Sequence, residues 1–250
     1  MKIQKIKIRI LNPPKIDLFG VLDEYITKLS EGDVVFITSK IVSLHQGRCV
    51  KVSNDDKRAV KDELIYSEAD RVIDRAEYPD NRRLLTITKN LMIRAAEIDE
   101  SNANGFCILL PDDSNGFAKE VHAYLKNKFQ LKRLGIVITD SHSVPLHRGA
   151  LGTTIGYFGI EPLISHVEKD DIFGKKFKAE VTNVVDSLAA TAVFMMGETD
   201  KRTPMMVIGD IDDRVVFSDK ANYSEFLISP EDDMFSPILE KFKKTKNLKD

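Results

Sequence analysis

Three carboxylates stand where this chain leaves apolar segments, and they are its best candidates for chemistry. Asp140 follows the apolar run that ends Ile136-Val137-Ile138-Thr139. Asp99 lies in Ile98-Asp99-Glu100-Ser101-Asn102, and Glu198 follows the helix stop Met196-Gly197. A carboxylate at the end of a buried strand is anchored by the sheet yet open to a cleft. Carboxylates from three separate segments can supply the hard oxygen ligands that Mg2+ or Mn2+ prefers. Each alone equally suits a helix cap or a solvated loop. Cations occupy comparable places. Lys40 ends Val34-Val35-Phe36-Ile37-Thr38-Ser39, Arg148 lies in a glycine-rich stretch, and Lys201-Arg202 follow Glu198. A metal with nearby cations suits a triphosphate, because charge builds on the transferred phosphoryl oxygens. Singly, each of these cations also reads as a surface charge.

Other constellations are weaker. The chain has no G-x-x-x-x-G-K-[ST] and no G-x-G-x-x-G after a strand, so neither phosphate loop is in use. Gly149, Gly152, Gly156 and Gly159 fit a loop needing positive φ, or close backbone packing. His142 and His147 share that stretch with Arg148, but their spacing matches no zinc motif. His122 falls on the polar side of a predicted helix. No Ser-His or Cys-His pairing suggests an enzyme nucleophile.

The elements that must position these residues come next. The 250 residues are 42% hydrophobic and 30% charged, a composition for one large globular domain or two small ones. The net charge of -2 argues against nucleic acid or a membrane surface as partner. No apolar run reaches the ~20 residues of a spanning helix. The N-terminus alternates lysine with isoleucine, unlike a signal peptide, and two cysteines without metal-type spacing suit a reducing, cytoplasmic setting.

Periodicity predicts a strand around Ile6, Ile8 and Ile10, a helix over 17–29, and a buried strand over 34–37. A charged helix follows over 55–73, then a turn at Tyr78-Pro79-Asp80-Asn81 and a hairpin of 84–88 with 92–96. Further on come a strand over 106–110, a helix carrying Phe117, Val121, Tyr124 and Leu125, and a strand over 134–139. The stretch 141–159 reads as loop and 181–196 as an apolar helix. Strands at 205–208 and 215–217 flank an acidic turn. Ser229-Pro230 looks like a helix start, with Phe235, Ile238, Leu239 and Phe242 as its buried face and a frayed lysine-rich tail beyond. Strands and helices mix without strict alternation, which predicts an α+β fold without a clean domain boundary.

Five stretches occur in an ordered set: residues 32–43, Ile98 to Asn102, Ile138-Thr139-Asp140-Ser141, Arg148-Gly149 with Ile155-Gly156, and Met196-Gly197-Glu198. In this the chain resembles the coenzyme F-420-0:L-glutamate ligase family over about residues 6 to 240. The resemblance implies a single domain over 1–250, or two interleaved lobes, with mixed, largely antiparallel sheets, flanking helices and an intertwined homodimer. It implies amide-bond formation between L-glutamate and a deazaflavin coenzyme precursor through an acyl phosphate, driven by GTP or ATP. A divalent metal (Mn2+ or Mg2+) is implied, with a monovalent cation (K+) beside it. Asp99, Asp140 and Glu198 match the metal carboxylates. Ser39, Lys40, Asn102, Ser141, Gly197, Thr199 and Lys201 match the nucleotide contacts, and Arg148 is the candidate to hold a substrate carboxylate or phosphate. The chain departs from the family pattern at Leu44 and Val144, where lysine and arginine are usual, and at Pro13-Pro14-Lys15. Folate or another carboxylate is therefore a second acceptor to consider, and a non-catalytic nucleotide-binding homologue a third reading.

Overall fold

The computed structural model describes residues 1–52, 57–80, 84–211, 214–220 and 223–245. The chain runs β1 (Lys2–Ile6), α1 (Leu18–Tyr25), β2 (Asp33–Thr38), α2 (Ser39–Gln46), β3 (Cys49–Lys51) and α3 (Lys57–Glu68). It continues with β4 (Arg71–Ile73), β5 (Leu85–Thr88), β6 (Leu91–Arg94), β7 (Phe106–Ile108), α4 (Ser114–Lys128), β8 (Leu134–Ser143) and β9 (Ala150–Ile160). Then come β10 (Leu163–Ser165), β11 (Val181–Asn183), α5 (Val184–Met196), β12 (Met205–Gly209), β13 (Phe217–Ser218), α6 (Tyr223–Phe226), α7 (Ser236–Leu239) and β14 (Lys243–Lys244).

The main sheet has the order β1-β12-β2-β8-β9-β13, and only β2 with β8 is parallel. Val34–Ile37 of β2 and Ile136–Ile138 of β8 are apolar at consecutive positions because both faces of the sheet are covered. Val35 and Ile37 point to the face packed by α1 and α4, through Leu18, Leu22, Phe117 and Val121. Val34 and Phe36 point to the opposite face, against Val185, Ala189 and Ala192 of α5. Strand β9 tolerates a helix on each side because it is glycine-rich. A Cβ on Gly152 would lie 2.6 Å from Val193 Cβ, and one on Gly156 would lie 2.6 Å from the Ser114 backbone.

A second sheet, β14-β4-β5-β6, is wholly antiparallel, and a two-stranded β3-β7 ribbon stands beside it. Its core gathers Ile65 of α3 with Val72, Leu84, Ile98 and Leu109. The β5–β6 hairpin turns at Lys89 and Asn90, with φ of 51° and 64°, the double positive of a type I′ turn. The fold is thus α+β, with mostly antiparallel sheets and flanking helices, as expected. Among the described residues no helix is long and apolar enough to cross a membrane.

Several local expectations are corrected. Residues 141–159 are not a loop but the long β8–β9 pair, with only 144–149 turning between them. Residues 181–183 are strand β11, and the helix begins at Val184 with Asn183 as its cap. Ser229 and Asp232 close a turn rather than opening a helix, and Phe235 and Ile238 are exposed while Phe242 is buried. His122 is not on a polar face: it is buried, edge-on to the Phe158 ring. Asp55 and Asp56, Asn81, the acidic turn at 212–213 and the tail from residue 246 lie outside the described residues.

Candidate active site

The parallel ladder between β2 and β8 ends with Thr38 opposite Thr139. The next residue of each strand, Ser39 and Asp140, therefore emerges at the carboxyl end of the sheet, where α/β folds place their ligands. The Ser39 hydroxyl donates to Asp140 Oδ2, and the Ser141 N–H donates to Oδ1 at 2.7 Å. On β9 the register shifts between the partners of Ile138 and Thr139, so Ile155 bulges just before Asp140. Such bulges re-aim side chains beside active sites.

Helix α2 then turns Lys40 toward Asp99, with Nζ 2.5 Å from Oδ2. Lys40 also donates to Ser101 O at 2.9 Å and Ser101 Oγ at 3.1 Å. Asp99 is fixed from both sides. Its backbone bridges Ile108, and its carboxylate accepts from the Ser101 N–H at 2.6 Å and the Ser101 hydroxyl at 2.8 Å. Two bonded groups, Ser39–Asp140–Ser141 and Lys40–Asp99–Ser101, thus stand side by side, and the adjacent residues Ser39 and Lys40 join them into one network. Asn102 extends it: its Nδ2 donates to the Thr199 carbonyl at 3.0 Å, holding the loop after α5 against the Asp99 loop.

The electrostatics are those of crowded carboxylates. Burial pushes Asp140 above the usual carboxylate range, against its bonds from Ser39 and Ser141 and the Lys40 charge. Burial also opposes the Asp99 charge, but the Lys40 hydrogen bond and charge and the Ser101 bonds outweigh it and hold Asp99 low. A third carboxyl, Glu97, is pushed up to about 8, first by burial and then by the charges of Asp140 and Asp99. Sequence reading missed Glu97. It stands two residues before Asp99, but the segment between them is not a regular strand, and nothing in the sequence announces the turn that carries it. Its backbone is unusual: Ala95, Ala96 and Glu97 have φ of 54°, 51° and 56°, a left-handed turn without glycine. Each such residue costs roughly 1–2 kcal/mol, and strain of this kind concentrates at functional sites.

The remaining expected residues are less closely joined. Glu198 is exposed beside Thr199, and no described interaction links it to Asp99 or Asp140. Gly197 ends α5 with φ of 76°. Lys201 is exposed, 3.7 Å from Asp200. Arg148 is exposed in the β8–β9 turn, and no described hydrogen bond or ion pair joins it to the network. Leu44, one of the departures, is buried against Ala103 and Ile108. Among the described residues, no group of three or more His, Cys, Asp or Glu side chains is arranged to hold a metal ion. The donor chemistry nevertheless fits one: hard carboxylate oxygens crowd Lys40, and their mutual repulsion is what a divalent cation relieves.

Comparison with known proteins supplies the class. The model of the F420-0:Gamma-glutamyl ligase family matches residues 5–210. A Methanopyrus kandleri protein named Coenzyme F420:L-glutamate ligase is 28% identical over 83% of this chain and 86% of its own length. Proteins of the same name from Methanocaldococcus jannaschii and Archaeoglobus fulgidus are 29% and 24% identical, over 77% and 86% of this chain and 74% and 88% of theirs. These matches place the chain among amide-forming ligases. It belongs to the F420-0:gamma-glutamyl ligase family.

Proposed function

We propose that this chain joins the amine of L-glutamate to a carboxylate of a coenzyme F420-0-like acceptor, consuming GTP or ATP. The observation that carries the proposal is Asp140, held by Ser39 and Ser141 at the carboxyl end of the parallel strand pair, beside the Lys40–Asp99 ion pair. All these residues fall within the stretch that matches the family.

The chemistry follows from the substrates. A carboxylate does not condense with an amine unaided, because its oxygen is a poor leaving group. Transfer of the γ-phosphoryl group gives an acyl phosphate. The amine then forms the C–N bond as phosphate departs. Asp99 and Asp140, with Glu198 from the neighbouring loop, would hold Mn2+ or Mg2+. Bound there, the ion would neutralise phosphate charge during the transfer. Ser39, Lys40, Asn102, Ser141, Gly197, Thr199 and Lys201 line the path proposed for the nucleotide. Arg148 is the residue proposed to grip the acceptor, since a guanidinium matches carboxylate and phosphate in bidentate fashion.

The test is direct. The protein is incubated with Mn2+, GTP or ATP, with and without K+, L-glutamate, and either a deazaflavin or a folate acceptor, and products are weighed by mass spectrometry. A glutamylated deazaflavin is expected. Product with folate alone would replace the acceptor, and no product or nucleoside diphosphate with either would overturn the ligase reading.

A further inference from the structure

A cavity of about 380 Å3 opens beside the Asp99–Asp140 centre. Its wall carries both signs of charge, with Lys61, Arg75 and Arg94 facing Glu97 and Asp99, and Ser141 and His142 at one side. Its volume lies in the range of ~300–1,000 Å3 usual for small-molecule sites.

The charged groups on that wall are not equivalent. Lys61 is paired with Glu100 at 2.8 Å. Arg75 is held by Asp62, with Nε 3.0 Å from Oδ2 and the second nitrogen 2.5 Å from Oδ1. Arg94 and Glu97, in contrast, make no hydrogen bond or ion pair among the described residues. They stand at the two ends of the left-handed turn through Ala95 and Ala96, and both line the cavity. An unpaired guanidinium and an unpaired carboxyl on one short turn complement a ligand that carries both charges itself. A plain dicarboxylate would gain from Arg94 but meet repulsion from Asp99 and leave Glu97 without a partner.

We infer that this cavity is the subsite for the amino-acid substrate, with Arg94 taking a carboxylate and Glu97 and Asp99 facing the ammonium. The inference rests on the ligase reading above and adds where the attacking amine waits. Asp99 and Ser141 belong both to the cavity wall and to the central network, so an ammonium facing Asp99 lies next to that centre. In the step itself the amine nitrogen forms the C–N bond and the C–O bond to phosphate breaks. Phosphate leaves with that electron pair, and the two protons shed by nitrogen go to solvent and to phosphate.

The test uses calorimetric titration of L-glutamate and of glutarate, which lacks the ammonium, into the wild type, Arg94→Met and Glu97→Gln. The wild type is expected to prefer glutamate. Arg94→Met should weaken both ligands about tenfold or more, the loss of a charge-assisted contact. Glu97→Gln should weaken glutamate by a similar factor and leave glutarate unchanged. Wild-type affinity for glutamate in both variants, or no glutamate binding by the wild type, overturns the subsite. In steady-state ligation Arg94→Met should raise the KM for glutamate alone. A rise in acceptor KM instead would assign the cavity to the acceptor and overturn the inference. Glutamate binding that follows the expected pattern in a protein that ligates nothing would retain the subsite and remove the ligase reading.

Discussion

Ser39 and Asp140 meet one residue beyond the last registered pair of a parallel ladder, and the serine hydroxyl donates to the buried carboxylate. The geometry is a consequence of the sheet, not of a flexible loop. Both side chains are carried by strands whose apolar residues are buried on two faces. Asp140→Asn keeps the shape and the Ser39 contact but removes the charge. Turnover should fall by about a hundredfold or more, the scale seen when a charge-stabilising group is lost from an active site. The Tm should hold or rise, because a buried charge is costly to keep. Metal-dependent nucleoside diphosphate release and a thermal melt check both halves, and an active Asp140→Asn enzyme removes Asp140 from the ligand set.

Lys40 supports a different expectation. It is the ion-pair partner of Asp99, with both side chains about a third exposed (28% and 39%). Lys40→Met leaves Asp99 without its cation and releases the Ser101 contacts. The stability cost should be modest, about 1–2 kcal/mol, or a Tm lower by roughly 2–8 °C. The functional cost should be larger, with nucleotide binding weakened at least tenfold. A Lys40→Met protein that binds nucleotide like the wild type would separate Lys40 from the site.

The central strands were legible because Val34–Ile37 and Ile136–Ile138 are apolar at consecutive positions, which a doubly covered sheet requires. Lys40, Asp99 and Asp140 were legible as candidates from their places at segment ends, and Ser39 and Ser141 from the family resemblance. The β8–β9 pair was misread, because Gly149, Gly152, Gly156 and Gly159 suggest a loop to any local rule. At Gly152 and Gly156 the glycines serve instead to let α5 and α4 approach β9. Glu97 was not legible as a site residue, since its left-handed turn contains no glycine or asparagine to announce it. Likewise His122 shares its helix face with Lys119 and Lys126, and the approach of Phe158 from β9 covers it.

Glu97 gives the fold a pH dependence whose sign can be worked out. Its ordinary value is 4.5 and its folded value about 8, set by burial and by Asp140 and Asp99, with Arg94 and Lys40 opposing. Between these values the folded state binds the extra proton. Stability therefore falls as pH rises from about 4.5 to about 8, and the loss is complete above that. With chelator present, Glu97→Gln should show a flatter profile, and its Tm advantage over the wild type should grow across that window. A Tm difference constant from about pH 5 to 9 would contradict the burial of this carboxyl.

Gly152 ties the packing of α5 to the site. It pairs with Ser141 across β9 and β8, and an added Cβ would lie 2.6 Å from Val193 Cβ and 2.7 Å from the Ala189 carbonyl. The backbone carbonyl cannot move aside alone, so Gly152→Ala must displace α5. Overpacking of this kind costs about 1–3 kcal/mol, a Tm fall of roughly 2–12 °C. The displaced helix also carries Gly197 and Thr199 at its end, so the Asn102–Thr199 contact should loosen and the nucleotide KM should rise. Gly149→Ala is the control. Gly149 has φ of 105° but nothing within 4 Å of an added Cβ, so only backbone strain of about 1 kcal/mol is expected. Melts of the two variants side by side decide the matter: equal losses would mean that the close approach of α5 is not what keeps glycine at position 152.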